Sequence, residues 1–523
     1  MCKILNLVIF LLLLLFTPSH AWAQRWLSVD ARARAMGQTG VASVEGPLAL
    51  YWNPSRISGY PGKSRTVVQI DGFAGINVEG DLVNTSDQLS DLINEFSISS
   101  IQERLNSGTI TADDLQHTVQ VLDVIARLDD PGSGIVADAG AGMVIQKNNW
   151  AFSYRYLGRV GLSSYLDFGT GSLSLTTDGL SVLNDGLDRI VQERIGGGMS
   201  LNHPVTESGI GISQQLQTLA ADAGILLPLN NSDEFAYQVE QTLGERITDE
   251  RFQSLLTQVL TITAQASTGG QGIHFLTENN SGVEYRGIQL HEIAVGRSFG
   301  RADSGYRVSA GLSGRVLFGE TFRRVVGFRQ ITDGEHLVSG VFDSISSNRR
   351  SSVEYTFDAG LNYAVSDSLG FGVSVRNMLP VTFRFDDGGK FHLDRQVRSG
   401  LVFRHPRFSW LTLSVDADLT VNGTDALPGY KSRILGGGAE LTTTLGRTVI
   451  ALRAGSFANL LAADPSPVIT LGAGLENGPF FIEAEGNITA RNLKIESSSL
   501  FTKAQDFPEQ IGGSITLGFR FGR

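Results

Sequence analysis

Cysteine is almost absent from this sequence, since Cys2 is the only one among 523 residues. A single thiol excludes an internal disulfide, and Cys2 lies ahead of the apolar run that follows, where a lipoprotein cysteine would not stand. Proline is also scarce, with 14 residues, and only 18% of the chain is charged. The 42 basic residues are outnumbered by 53 acidic ones, which gives a net charge of −11. This balance gives no support to binding of nucleic acid.

Long apolar runs are missing as well, apart from Leu7 to Phe16 near the start. That run follows Lys3 and precedes the small-x-small site Ala21-Trp22-Ala23, which predicts a cleaved signal peptide over residues 1–23. Its length is well short of the about 20 apolar residues that a transmembrane helix needs. If the exported chain enters a membrane, we expect it to do so as a closed barrel.

Catalytic and cofactor signatures are also lacking. Gly62-Lys63-Ser64 resembles the end of a phosphate-binding loop, but Ile57 stands where the earlier glycine is required. His291-Glu292 begins like a zinc-protease motif, yet Val295 occupies the second histidine position. We therefore expect no enzyme activity, no metal and no cofactor.

What the sequence does contain is repeated alternation of apolar and polar residues. In one example, Leu411, Leu413 and Val415 alternate with Thr412, Ser414 and Asp416. Such period-two runs predict roughly 13 to 16 half-buried strands. The runs lie near residues 66–76, 135–145, 150–156, 284–299, 308–318, 355–363, 369–375 and 411–419, near 433–445 and 515–521, and near Val397, Ile450, Ile469 and Phe480.

The alternation allows two interpretations. A transmembrane barrel puts its apolar face toward lipid and its polar face toward the lumen. A large soluble β-protein shows the same alternation with the apolar face in its core. The signal peptide, the number and length of the strands, and a strand that ends close to Arg523 favour the membrane barrel.

Two stretches break this pattern with helical spacing, near residues 84–130 and 178–265. In the first, Leu115, Val119 and Leu122 form a stripe after a predicted helix cap at Thr111. Both stretches are too polar to span a bilayer. We expect amphipathic helical insertions that plug, cap or flank the barrel, or a surface hairpin without function.

The polar face of the predicted strands carries charged side chains. Inside a barrel these should pair across strands, because isolated buried charges are costly. They either line a solute path or fill and stiffen the lumen. The candidates are Arg155, Arg307, Arg315, Asp358, Arg376, Asp416, Asp418, Arg453, Glu483, Glu485 and Arg520.

The most specific sequence pattern follows the signal peptide. It contains Ala35-Met36-Gly37, Gly40-Val41-Ala42 and Tyr51-Trp52-Asn53-Pro54. This pattern resembles the N-terminal signature of the FadL-like fatty acid transporters, the PorV-type secretion barrels and the TraF-like conjugal-transfer outer-membrane proteins. Fainter similarity at 370–380, 413–420 and 452–455 resembles the TraF-like and PorV-like members more closely.

The resemblance implies an all-β transmembrane barrel of 14 antiparallel strands with an N-terminal segment folded into the lumen. We accordingly predict a plug over residues 24–62 and a barrel over residues 63–523. Gly37 and Gly40 would let the backbone pass close to the inner wall, and Asn53 and Pro54 would fix a turn beside Trp52. One departure is the C-terminus, where Phe519 and Phe521 precede Gly522-Arg523, while many outer-membrane barrels end on an aromatic residue.

Two functions remain open at this point. The first is an outer-membrane barrel for the passage of hydrophobic small molecules, occluded by the plug. The second is a non-transporting outer-membrane barrel that serves a secretion or conjugation apparatus as an assembly or shuttle partner. A lipid hydrolase lacks any supporting Ser/His motif. The expected partners are outer-membrane lipid and either a hydrophobic ligand or proteins of such an apparatus.

Overall fold

The computed structural model describes residues 23–24, 26–58, 66–80, 85, 111–128, 130–165, 177–197, 205–222, 229–249, 252–253, 282–300, 307–327, 349–462, 465–495 and 505–521. Within these ranges, no helix has the length and apolar character needed to cross a membrane. Residues 1–22 of the predicted signal peptide, the helical pattern at 86–100 and residues 254–265 of the second insertion lie outside the described residues.

Fourteen antiparallel strands close into one barrel, which confirms the predicted fold class. Each strand pairs with its neighbours in the chain, and the last strand pairs with the first. In chain order the strands are β1 (Thr66–Glu79), β2 (Gly134–Lys147), β3 (Trp150–Tyr165), β4 (Gly282–Phe299), β5 (Val308–Gly327), β6 (Arg350–Ala364), β7 (Leu369–Arg376), β8 (Gln396–Arg404), β9 (Leu411–Asp418), β10 (Ile434–Leu445), β11 (Thr448–Asn459), β12 (Val468–Asn477), β13 (Phe480–Thr489) and β14 (Gln510–Phe521).

The two ends of the barrel differ in the length of their connections. At one end, which we call the short-loop end, the connections are residues 148–149, 300–307, 365–368, 405–410, 446–447 and 478–479. The first residue of β1 and the last of β14 also lie there, since Thr66 pairs with Phe521. At the long-loop end the connections include residues 80–133, 166–281 and 377–395.

The alternation seen in the sequence separates an apolar outer face from a polar interior. On β3, Phe152 and Tyr154 are exposed while Ser153 and Arg155 between them are buried. On β12, Leu471 is 61% exposed, whereas the neighbouring Thr470 is 1% exposed. Large exposed apolar side chains beside buried charges are the arrangement of a barrel whose outer face meets an apolar medium.

Four long helices form a bundle in the long-loop connections. They are α3 (Ala112–Leu128), α4 (Thr177–Gly196), α5 (Glu207–Asp222) and α6 (Leu229–Leu243), and the first three all pack on α6. The predicted cap holds, because Thr111 Oγ1 accepts a hydrogen bond from the Asp114 N–H at 3.2 Å. Their buried residues, such as Leu187, Leu216 and Val239, give the bundle a core of its own.

Two short helices and a short hairpin lie within the cylinder of strands. The helices α1 (Ala31–Ala35) and α2 (Ala49–Trp52) belong to residues 26–58, which we call the N-terminal segment. The inner hairpin comprises the strands Val381–Arg384 and Lys390–Leu393 in the connection between β7 and β8. Near the long-loop end, Ala23–Gln24 pairs in parallel with Asn422–Gly423. The chain thus passes from the long-loop end through the interior before β1 starts at the opposite end.

Candidate functional site

The barrel interior is occupied by the N-terminal segment, which is held together by its own polar contacts. Asp30 is buried and caps α1, accepting a hydrogen bond from the Ala33 N–H at 2.8 Å. Its other carboxylate oxygen accepts a hydrogen bond from the Trp52 indole at 2.5 Å. Since Trp52 is fully buried, this bond ties the two short helices to each other.

The helix α1 is fixed to the inner wall by both charged and neutral contacts. Arg32 forms two hydrogen bonds of 2.9 Å with Glu440 on β10, and Arg34 forms an ion pair of 2.9 Å with Glu485 on β13. The Ala31 N–H also donates to Thr516 Oγ1 on β14 at 3.1 Å. Partners on three strands hold the helix within the barrel.

Gly37 allows the segment to touch the wall. Its φ is +70°, and a Cβ at this position would come within 2.4 Å of the carbonyl oxygens of Gly437 and Ser456. Any other residue would therefore be strained and would clash with the wall backbone. The backbone of Gly40 also lies beside the wall, since its N–H donates to Asp416 on β9 at 2.7 Å, but an added Cβ there would meet the Trp52 indole at 2.1 Å. The first glycine permits contact with the wall, and the second permits packing inside the segment.

Asn53 and Pro54 form the predicted turn on the opposite side of the interior. The Asn53 Oδ1 accepts a hydrogen bond from the Ser55 N–H at 3.2 Å, and Pro54 starts a short 3-10 helix, Pro54–Arg56. The Asn53 Nδ2 donates to the carbonyl of Leu361 on β6 at 3.1 Å. The turn lies against β5 and β6, far around the barrel from the strands that hold α1.

A buried network of charges surrounds Tyr51. The guanidinium groups of Arg376 and Arg155 lie 3.8 Å and 5.2 Å from its ring centroid. Arg155 forms a bidentate pair with Asp71, and Glu292 accepts a hydrogen bond from Arg376 at 2.8 Å. The positive and negative groups thus pair across strands, as buried charges must to offset their desolvation.

The structure places the predicted charged residues in several groups. Arg155, Arg315, Asp358 and Arg376 join the network around Tyr51, with Arg315 lying 3.4 Å from Asp358. Asp416 and Asp418 flank the fully buried Arg398, at 3.8 Å and 3.6 Å.

The remaining candidates lie nearer the short-loop end. Arg453 bonds Glu440 and Glu483 at 2.7 Å and 2.8 Å. Arg520 pairs with Glu476. Arg307 is different, because it precedes β5 at the short-loop end, is exposed, and does not face the interior.

An apolar patch on the inner wall was not predicted from the sequence. It consists of Leu157 on β3, Ile288 and Leu290 on β4, and Leu317 on β5, all buried. A separate apolar cluster on the inner face, made of Ile434, Phe457 and Val468, lies on β10, β11 and β12. Aliphatic side chains on this face provide a surface that an apolar molecule could contact.

The inner hairpin covers this apolar patch. Its side chains Phe383, Phe385 and Phe391 belong to the same buried hydrophobic cluster as the patch. Gly319 on β5 makes room for the hairpin, since a Cβ there would lie 2.3 Å from the Phe383 ring. The hairpin is also held by a hydrogen bond of 2.7 Å from Thr321 Oγ1 to the Arg384 carbonyl.

A sequence signal for this hairpin existed. Asp386-Asp387-Gly388-Gly389 is a turn pattern flanked by alternating apolar residues. That signal predicts a hairpin but not its direction, because outward and inward hairpins share the same alternation.

Several cavities lie within the described part of the barrel, and three of them are lined partly by charged side chains. A central cavity of about 30 Å³, enough for one or two water molecules, is lined by both Leu290 and Glu292. A cavity of about 440 Å³ opens toward the short-loop end and is lined by Arg32, Glu440 and other charged residues. A third, of about 550 Å³, lies at the long-loop end between the β1–β2 and β9–β10 connections. The N-terminal segment and the inner hairpin occupy the space between these cavities.

No group of three His, Cys, Asp or Glu side chains within the described ranges could hold a metal ion. The buried carboxylates engage arginines and backbone N–H groups instead. Asp416, for example, accepts hydrogen bonds from the N–H groups of Gly40 and Val41 at 2.7 Å and 2.9 Å.

Comparison with known protein families gives one match. A family model described as the F plasmid transfer operon TraF protein matches residues 51–418. The match begins at Tyr51, so it contains the Tyr51-Trp52-Asn53-Pro54 part of the N-terminal signature and continues through β9. It confirms the TraF-like resemblance inferred from the sequence. No curated protein matches the chain.

Solved structures that resemble this chain include two toluene transporters and a FadL homologue. The toluene transporter TodX of Pseudomonas putida is 10% identical, with 95% of this chain and 100% of that chain covered and a TM-score of 0.41. A Pseudomonas aeruginosa FadL homologue is 9% identical, with coverages of 96% and 99% and a TM-score of 0.41. The Ralstonia pickettii toluene transporter TbuX is 10% identical, with coverages of 94% and 98% and a TM-score of 0.41. At this level of similarity nothing about substrate is carried over.

Proposed function

The chain belongs to the TraF family of the F plasmid transfer operon, and we propose that it is an outer-membrane barrel for the passage of hydrophobic small molecules, seen here in a closed state. The N-terminal segment acts as a plug, and the inner hairpin acts as a cover over an apolar site. Passage requires both elements to move.

The orientation follows from the connections. Outer-membrane barrels have short turns on the periplasmic side and longer loops outside. By that rule the short-loop end faces the periplasm, and the helical bundle of α3–α6 lies outside the cell. The exposed apolar side chains of the outer face, such as Leu452 and Leu471, then meet lipid.

The observation that carries the proposal is the apolar patch beneath the inner hairpin. If the side chains in the lumen served only to stiffen the barrel, ion pairs could fill all of it, as they do around Arg453 and Glu440. Instead, Leu157, Leu290 and Leu317 present an aliphatic surface that Phe383 covers. If the hairpin swings away, this surface becomes a site for an apolar ligand.

The plug must open without unfolding the barrel. Its contacts with the wall include polar ones, such as Arg34 with Glu485 and Asn53 with the Leu361 carbonyl, beside apolar ones in the buried cluster that contains Leu50 and Ala294. The polar contacts can be replaced by water when the segment shifts. The segment is therefore suited to movement within the lumen.

A second function, service as a non-transporting partner of a conjugation apparatus, is favoured by two observations. The matching family takes its description from a plasmid transfer operon. The central network around Tyr51 also fills the lumen with paired charges and leaves a cavity of only about 30 Å³. In this alternative the plug and the inner hairpin are permanent parts of the fold.

The test is entry of an apolar fluorescent dye, 1-N-phenylnaphthylamine, into cells that carry the protein in their outer membrane. We expect Phe383→Ala with Phe391→Ala to speed dye entry, because the aromatic cover of the apolar patch is removed. Adding Leu317→Glu should reverse the gain by placing a charge in the exposed site. The matched control is Phe408→Ala, an exposed phenylalanine at the short-loop end.

Deletion of residues 26–58 gives a second measurement. Both this deletion and the hairpin variant must first be shown to insert as barrels. If dye entry through both then equals that of the wild type, passage of apolar molecules is excluded. A fall in conjugation frequency on removal of the whole chain, with dye entry unchanged, would instead support the partner function.

A further inference from the structure

A cationic patch interrupts the apolar outer face of the barrel near the short-loop end. Lys147 on β2, Trp150 on β3 and Arg297 on β4 are directly paired neighbours in the sheet. All three are exposed and lie on the outer face, since the residues next to them in the chain, at positions 146, 151 and 296, are buried. Paired positions bring Cβ atoms within about 5 Å of each other, so the three side chains form one cluster.

Aromatic rings hold the guanidinium group of Arg297 in place. It lies 5.0 Å from the ring centroid of Trp150 and 5.2 Å from that of Phe299. Both rings are about half exposed, at 49% and 47%. Stacking of this kind orients an arginine while leaving its N–H groups free to donate outward.

The patch contains cations without a matching anion. Within the described part of the chain, neither Lys147 nor Arg297 forms an ion pair, whereas the interior arginines such as Arg155 and Arg453 do. The next outward positions along these strands hold apolar residues, namely Ile145 on β2, Phe152 on β3, and Val295 and Phe299 on β4, and Thr66 on β1, which pairs with Lys147, is uncharged. Within the described ranges, no carboxylate neutralises the patch, which leaves its two cations available to an external anion.

We propose that this patch binds the phosphate group of an anionic phospholipid in the periplasmic leaflet. The inference rests on the membrane location and orientation given under the proposed function. At the short-loop end the patch lies where aromatic side chains mark the membrane boundary, which is the depth of lipid phosphates. Arg297 binds the phosphate oxygens, Lys147 adds a second positive charge, and Trp150 and Leu312 contact the first carbons of the acyl chains.

The site differs from a single arginine that reaches toward water. The two cations flank Trp150 on β2 and β4, and Leu312, paired with Arg297, is 53% exposed on the far side. A charge on the lipid face is tolerated near the interface at little cost, but that tolerance does not explain a second charge beside the same tryptophan. A phosphate between Lys147 and Arg297 explains both.

The experiment measures retention of added lipid by the purified full-length protein in detergent, using native mass spectrometry. The probes are short-chain phosphatidylglycerol, phosphatidylcholine of the same chain length, and inorganic phosphate. We expect preferential retention of phosphatidylglycerol, and a loss of affinity of about fivefold in Arg297→Gln and in Lys147→Gln. Arg407→Gln, which removes an exposed arginine in the β8–β9 connection, is the matched control.

An equal loss of affinity in Arg407→Gln would overturn the proposal, because the preference would then reflect general charge. Complete competition by inorganic phosphate would also overturn it, since the patch would then bind free phosphate rather than lipid. A shift of gel mobility on heating shows that each variant is a folded barrel. The lipid measurement does not depend on transport. A barrel that passes no dye can still retain the lipid, so failure of one proposal can be distinguished from failure of the other.

Discussion

Thr470 on β12 holds Gly37 of the N-terminal segment through its hydroxyl group. The Oγ1 atom accepts a hydrogen bond from the Gly37 N–H at 3.2 Å and donates one to the Ala35 carbonyl at 2.8 Å. One side chain thereby satisfies both a donor and an acceptor at the end of α1, where helix backbone groups lack partners. The contact also lies where Gly37 comes closest to the wall.

Replacing Thr470 and Thr516 by valine should loosen the segment without changing the shape of the wall. The double variant removes the hydroxyl partners of Ala31, Ala35 and Gly37. At about 1 kcal/mol for each hydrogen bond, we expect cleavage by trypsin after Arg32 and Arg34 to become at least tenfold faster in the inserted protein. Thr443→Val, an exposed position on β10, should leave the cleavage rate unchanged.

Gly37→Ala tests the close approach of the segment to the wall. Gly446 provides a matched control, because its φ of +65° is similar to the +70° of Gly37, while a Cβ at Gly446 would meet nothing within 4 Å. Both alanine variants suffer the same left-handed strain of roughly 1 kcal/mol. Gly37→Ala should cost about 1–3 kcal/mol more, through the clash with the Gly437 and Ser456 carbonyls. Equal unfolding free energies for the two variants would show that the N-terminal segment can move away from the wall without an energetic cost.

The strands were predictable because period-two alternation is a local property of the chain. Each predicted run corresponds to one barrel strand, including weak ones such as 135–145, which lies in β2. The turn at Asn53 and Pro54 was also predictable, since an Asn side chain bonds its own backbone and Pro fixes φ.

The partners of the inward charges could not be read from the sequence. Asp71 and Arg155 are far apart in the chain and meet only because β1, β2 and β3 are adjacent. Arg307 has the parity of the inward-facing residues of β5, but that strand starts at Val308 and leaves it exposed. The hairpin folds inward because the barrel leaves room for it over the apolar patch. A local sequence pattern does not show that this room exists.

The outer face can be tested with two leucines of nearly equal exposure. Leu471 lies within β12 at 61% exposure, and Leu445 lies at the short-loop end of β10 at 64%. In a membrane, Leu471→Arg should destabilise the barrel by about 2–4 kcal/mol, and Leu445→Arg by about 1 kcal/mol or less. Urea unfolding in lipid vesicles measures both. Similar losses for the two variants would contradict the assignment of this face to lipid.

The inner hairpin should respond to pH through Asp394, which immediately follows it. Burial raises the pKa of this carboxyl from 3.8 to about 6, with Asp425 raising the pKa further and His392 lowering it. Since the neutral form is favoured in the closed hairpin, the closed state is most stable below the ordinary pKa. That stability is lost as the pH rises through about 6.

We therefore expect hydrogen exchange in residues 381–393 to become faster between pH 5 and pH 7, beyond the intrinsic dependence of exchange on pH. Asp394→Asn should remove this increase, because an amide stays neutral over the whole range. A second titratable side chain lies beside the hairpin, since the His392 imidazole is 2.9 Å from Asp425. His392→Gln separates the two groups: an increase that survives this substitution but disappears in Asp394→Asn assigns the pH response to Asp394. An increase that persists unchanged in Asp394→Asn would show that this carboxyl does not control the hairpin.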